Sequence, residues 1–235
     1  MIGPIIDSGC LLAGGLAGAY SSHLVPKRIK ESLPPIFGVV TLCMGMTLVN
    51  KVAAMPVVVA ALLLGTLLGE LFFAERLLSA IIKKLLLATR RRRDMPVDEA
   101  TVLSLVTLVS AFCFGSMGIF GAVTEAITGK PDILLAKAVL DIFSGLLFGA
   151  VFGGIVGCIA LPQFAVLTLC YLCGNFCAPF MTPPLLGDFT ACGGVIFAAT
   201  GLRMCGIRMF PVINMLPALL LAPPLSLLWQ HIFGA

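Results

Sequence analysis

The chain has 235 residues, 60% of them hydrophobic and 11% charged, whereas an ordinary soluble domain carries about 25% charged residues. That balance excludes a soluble globular fold, whose surface must be covered with polar groups, and makes lipid the solvent for most of the sequence. The formal charge of +4 does not point to nucleic acid, because the basic residues fall in short runs between apolar segments, as in loops held on the cytoplasmic side.

A crossing takes roughly 20 apolar residues, because about 30 Å of hydrocarbon is spanned at 1.5 Å per residue. On that measure the sequence predicts eight membrane helices, at 3–24, 35–50, 54–74, 101–122, 132–155, 162–182, 189–205 and 211–232. The second and seventh are short and rich in glycine, which suits tilted, broken or re-entrant segments and sets the range at six to eight crossings. The first apolar run has no basic n-region before it and no clear cleavage site after it, so it reads as a span rather than a signal peptide. Lys27, Arg28 and Lys30, then Lys83, Lys84 and Arg90 to Arg93, then Arg203 and Arg208 all fall on one side of an eight-span chain, while Lys51 and Lys130 fall on the other. The richer side is expected to be cytoplasmic, which places both termini outside. The stretch 75–99 reads as a basic cytoplasmic loop whose first half has the spacing of a helix lying along the inner membrane surface. The expected fold class is all-α: a polytopic membrane helix bundle forming a single integral domain over 1–235.

Three stretches share one layout, namely Phe37-Gly38 to Pro56, Phe114-Gly115 to Pro131 and Gly193-Gly194 to Pro211. In each, a glycine-opened helix is followed by a proline suited to the first turn of the next. This suggests an inverted repeat of spans one to three (1–74) and six to eight (162–235) around a central hairpin at 101–155. Matching Gly/Pro-interrupted segments of that kind point to a binding site between the two units of a transporter.

Charged side chains inside a span cost about 2.5 to 3.5 kcal/mol near a helix centre, so each needs a partner, a cavity or a function. Asp141 lies about nine residues into the fifth span, and Lys137 is one turn earlier on the same face. The two can form an ion pair that binds a charged solute or a proton, or one that merely neutralises both groups. Glu125 closes the fourth span beside Gly115, Gly118 and Gly121, whose spacing allows close backbone approach. Asn214 stands between Pro211 and Pro217, where interrupted helix bonding frees carbonyls, and Glu70 lies near the cytoplasmic end of the third span. Cys170, Cys173 and Cys177 share a helical face without a histidine and are expected to be packing residues rather than metal ligands. Gly14-x-x-x-Gly18 and Gly149-x-x-x-Gly153 are close-packing motifs for helix contacts or a homo-oligomer. There is no nucleophile elbow, H-E-x-x-H, phosphate loop or dinucleotide fingerprint, so neither an enzyme nor a bound cofactor is expected.

The opening Met-Ile-Gly-Pro, the segment 115–122 and the segment 199–218 together resemble the bacterial YqgA/YdfK-like inner-membrane family. The resemblance covers essentially the full chain and implies a multi-pass protein of the bacterial cytoplasmic membrane, with no family substrate or site residues to carry over. The leading functional expectation is a small secondary transporter or exporter of a polar or charged solute, with proton or cation coupling. Its rivals are a channel-like pore and a non-transporting scaffold or partner subunit.

Overall fold

The computed structural model describes residues 1–21, 26–73, 75–77, 79–84 and 99–233. His23 and the basic run Arg90 to Arg93 lie outside the described residues. Among the described residues the nine longer helices are α1 (Gly3–Tyr20), α2 (Lys27–Val49), α3 (Met55–Leu71), α4 (Glu99–Phe114), α5 (Ser116–Thr128), α6 (Asp132–Phe152), α7 (Ala160–Cys177), α8 (Pro183–Met204) and α9 (Pro217–Phe233). Single turns at Ile155–Cys158 and Val212–Met215 lead into α7 and α9. Prolines open α1, α3 and α8 in the first turn, where a missing N–H leaves no bond unmade. α4 and α5 form one span interrupted at Gly115, whose backbone is extended.

Among the described residues, six helices are long and apolar enough to cross a membrane, or seven if α3 and the segment Glu75–Lys84, bent by 46° from it, count as one broken span. This falls inside the expected range and below its leading value of eight. α1 misses the measure because its 18 residues include Asp7 and five glycines, which dilute its hydropathy. The exterior agrees with lipid as solvent: Leu161, Phe176 and Leu220 are 75%, 78% and 80% exposed, while Asp7, Gln163 and Asp188 are fully buried. Burying acids while leaving leucine and phenylalanine exposed inverts the pattern of a soluble protein.

The helices gather into two groups. In the first, α1 packs along α6, α5 packs along α7, and α4 lies against α7; in the second, α2 packs along α8, and α3 along α9. Glycines set the close approaches. A Cβ on Gly14 or Gly18 would overlap the carbonyl oxygens of Ile142 and Leu146, and one on Gly149 would overlap that of Gly15. Gly14, Gly18 and Gly149 therefore serve contacts within the chain, whereas Gly153 ends α6 at a φ of 74° with no close neighbour among the described residues. Across the second group, a Cβ on Gly45 would sit 2.6 Å from the Gly194 oxygen.

Residue numbers rise together along α1 and α6, so those helices run parallel, whereas α2 with α8 and α3 with α9 run antiparallel. The six-helix inverted repeat is not established by these contacts. Its second and third members pair with their counterparts, but α1 takes its main partner from the central hairpin.

α5 and α8 join the two groups. Phe120 stacks on Phe189 at 5.2 Å and meets Phe197 edge-on at 5.5 Å, and Ser116 shares a 2.9 Å hydrogen bond with Thr200. On one side the seam opens into an apolar groove of about 760 Å³ between α5, α7 and α9, and Cys173 and Cys177 line it. These two thiols are exposed on the surface of α7, which corrects their expected place in the packing. At one end the seam opens into a polar cleft of about 500 Å³ lined by Lys51, Thr124, Thr128, Lys130, Asp132 and Thr190, among others.

Candidate functional site

The first helix group encloses a cluster of charge. Asp141 lies nine residues after the start of α6, about 14 Å along the helix and near the middle of a 30 Å hydrocarbon layer. Lys137, one turn earlier, forms an ion pair with it. The same ammonium donates to Asp7 Oδ2 of α1 at 2.9 Å. Gln163 of α7 completes the set: its Nε2 donates to Asp7 Oδ2 at 2.6 Å and to Asp141 Oδ2 at 2.9 Å. Only the NH2 end of that amide can donate to carboxylates, so the two acids fix its orientation.

The helix pairing explains why these four meet. The glycine seam holds α1 and α6 in parallel register, which sets Asp7 beside Lys137 and Asp141. Gly118 of α5 adds room for the lysine stem, because a Cβ there would stand 3.3 Å from Lys137 Cε. None of the four residues is more than 6% exposed. Removing three ions from water costs several kcal/mol each, and their mutual attraction and hydrogen bonds must offset that cost. The cluster leaves Asp7 Oδ1 and Gln163 Oε1 buried without a hydrogen-bond partner among the described residues.

The other predicted residues do not converge on this centre as a set. Glu125 is buried and accepts hydrogen bonds from the N–H groups of Ile2 and Gly3, at 2.8 Å and 3.1 Å, with the amino group of Met1 at 3.2 Å. It thus caps the start of α1, one turn from Asp7, and its charge meets the positive end of a helix. Asn214 lies in the second group, where its Oδ1 accepts the Glu75 N–H at 2.8 Å. That contact tethers the start of the segment Glu75–Lys84, and Arg203 reinforces it with a 2.9 Å bond to Glu75. Glu70 is exposed in the last turn of α3, a helix that packs on α9 and lies outside the charge cluster.

Sequence reasoning missed Asp7, Gln163 and Asp188. Asp7 interrupts an apolar run, which was a usable signal; Gln163 is neutral and sits two residues inside its expected span. Asp188 falls one residue before the expected seventh span and proves to be a cap. Its Oδ1 accepts from Ala53 and Ala54 N–H at 3.0 Å and 2.7 Å, at the start of α3, and its Oδ2 accepts from Ser226 at 2.7 Å.

Comparison with known proteins places this arrangement in a family. A family profile described as "Protein of unknown function (DUF554)" matches residues 2–227. The chain belongs to this family. It is 43% identical over 235 residues to the uncharacterized protein YqgA of Escherichia coli (strain K12), covering all of both chains. It is 25% identical over 238 residues to the uncharacterized membrane protein YdfK of Bacillus subtilis (strain 168), covering all of this chain and 99% of the other. No solved structure matches it. A multi-pass membrane location follows from the spanning helices and agrees with the description of the Bacillus relative.

Proposed function

We propose that the chain is a small secondary transporter of the bacterial cytoplasmic membrane, moving a small polar or charged solute with proton or cation coupling. The observation that carries this reading is the buried meeting of Asp7, Lys137, Asp141 and Gln163 from three helices at mid-span. Ionisable groups at such a depth are costly, and membrane proteins that keep them commonly use them on solute or proton paths.

The two-group architecture supports the same reading. The groups meet along α5 and α8, and rocking of one group on the other would open and close the seam without breaking the glycine-packed pairs inside each. The polar cleft begins at that seam. Ile133, which lines it, is one turn from Lys137 along α6. The parallel pairing of α1 with α6 supports counting α1 as a crossing, which restores eight passes with both termini on one side. Lys51 and Lys130 then share the periplasmic end, where they line one cleft.

The test is transport by purified protein in proteoliposomes offered a mixture of isotope-labelled amino acids, organic acids, polyamines and monovalent cations, with internal contents read by mass spectrometry. Saturable accumulation of at least one class is expected, and its loss in Asp141→Asn and Lys137→Met. If no class enters faster than into protein-free liposomes, the reading fails; non-saturating entry with single-channel steps would identify a pore. The tight closure of the four-residue cluster favours a second reading, a static membrane scaffold. Wild-type flux in both variants would reduce the cluster to that structural role.

A further inference from the structure

The charges in the first helix group do not balance. Two carboxylates, Asp7 and Asp141, face one ammonium, Lys137, and the fourth member, Gln163, is neutral. One negative charge is therefore left over in the hydrocarbon. Among the described residues, the surrounding elements supply no second cation to match it. On α1, Cys10 is within electrostatic reach of Asp7 and Asp141. On α4, Cys113 is within reach of Lys137 and Asp141. On α5, Glu125 is another acid, already held by the start of α1. On α7, the facing group is Gln163 itself.

The other buried acids show how this protein normally meets such a charge. Glu125 and Asp188 each accept two backbone N–H groups at the start of a helix, and each takes a further donor, the amino group of Met1 or the hydroxyl of Ser226. Asp7 and Asp141 have no helix start to meet. Instead one Oδ2 from each shares the same two donors, Lys137 Nζ and Gln163 Nε2, so the carboxylates are held against one another. Like charges sharing a site in this way disfavour one another's ionised form, and a single ammonium offsets the charge of only one.

We propose that the cluster is a proton-binding site that holds one exchangeable proton between Asp7 and Asp141. Asp7 Oδ1 is fully buried and has no hydrogen-bond donor among the described residues, so the two shared donors leave part of the acid charge unmet. Binding converts one carboxylate to a carboxylic acid; release breaks that O–H bond, returns the electron pair to the oxygen and sends the proton to water. A metal cation fits less well. It needs several oxygen ligands, whereas the cluster's own buried oxygens without a partner among the described residues are Asp7 Oδ1 and Gln163 Oε1, and Lys137 stands beside them as a like charge. For its role in coupling, the inference rests on the transport reading; proton binding itself is measured without any solute.

The experiment is infrared difference spectroscopy of the purified full chain in lipid nanodiscs, counting buried carboxylic acid carbonyls through a pH jump in potassium and in sodium buffer. The wild type should show one buried acid signal per chain at neutral pH. That signal should vanish in Asp7→Asn and equally in Asp141→Asn, since each leaves one carboxylate with one ammonium. Lys137→Met, with two carboxylates and no ammonium, should show two. A wild type without the signal, or a signal surviving in both aspartate variants, overturns the proposal. So does a signal that sodium removes at constant pH, which would identify a metal-cation site. A proton signal in protein that moves no solute would leave this inference standing and sink the transport reading; flux without the signal would do the reverse.

Discussion

The two helix groups are built by the same device and filled differently. Each is held by helices brought into near backbone contact through glycine, α1 on α6 in one and α2 on α8 in the other. Between the first pair and α7 lie two carboxylates, an ammonium and an amide. The second packs Val58, Ala61, Ile196 and Phe197 in an apolar core, and its fully buried Asp188 caps a helix start. The difference separates two reasons for burying charge. Asp188 is matched locally and holds one helix in place. Asp7 and Asp141 are matched through a shared cation across three helices, so their balance depends on how those helices sit.

The widest effect should come from the shared device. Gly18→Leu and Gly45→Leu each drive a side chain into a facing backbone that cannot move aside, in the first and second group respectively. Both should cost at least about 3 kcal/mol and abolish a monodisperse peak in size-exclusion chromatography. A tolerated Gly18→Leu would mean that α1 does not lie on α6 as described.

The comparison sharpens at the charges. Lys137→Met leaves two acids that stay buried only by holding protons the unfolded chain does not bind at neutral pH, and should cost about 3–5 kcal/mol there, measured by denaturant or thermal unfolding in detergent. Acid should reverse much of that loss, because the unfolded chain then binds the same protons, so the gap to wild type should narrow as pH falls toward the ordinary carboxylate range. Asp188→Asn keeps an acceptor for the α3 N–H groups and should cost about 1–2 kcal/mol. Glu125→Gln should cost about 1 kcal/mol for the same reason at the start of α1. The ordering would break if Asp188→Asn proved costlier than Lys137→Met.

Smallest of all should be Glu70→Gln, on the exposed end of α3, which is expected to stay within about 0.5 kcal/mol of wild type and to leave solute flux unchanged.

The membrane class and most of the helices were legible in composition and in the length of the apolar runs, since hydrocarbon thickness fixes both. The Lys137–Asp141 pair was legible too, because helical spacing puts residues four apart on one face. Asp7 and Gln163 were not connected to it, because their contact depends on the parallel register of α1 with α6 and the approach of α7, which a single sequence does not state. Glu125 and Asn214 were read as candidate ligands but bond backbone N–H groups at the starts of other segments. Which helix start an acid or amide will meet is a property of packing, and spacing along the chain does not reveal it. Lys51 and Lys130 fell on the same side in the sequence, but their meeting in one cleft required the seam between the two groups.

The account rests on the buried cluster serving movement across the membrane rather than holding the bundle together. The most direct measurement pairs stability with flux in Asp141→Asn, which balances the charges while removing the carboxylate. The account predicts unfolding within about 1 kcal/mol of wild type together with lost accumulation of every labelled solute the wild type takes up. A destabilised variant that still transports at the wild-type rate would contradict it.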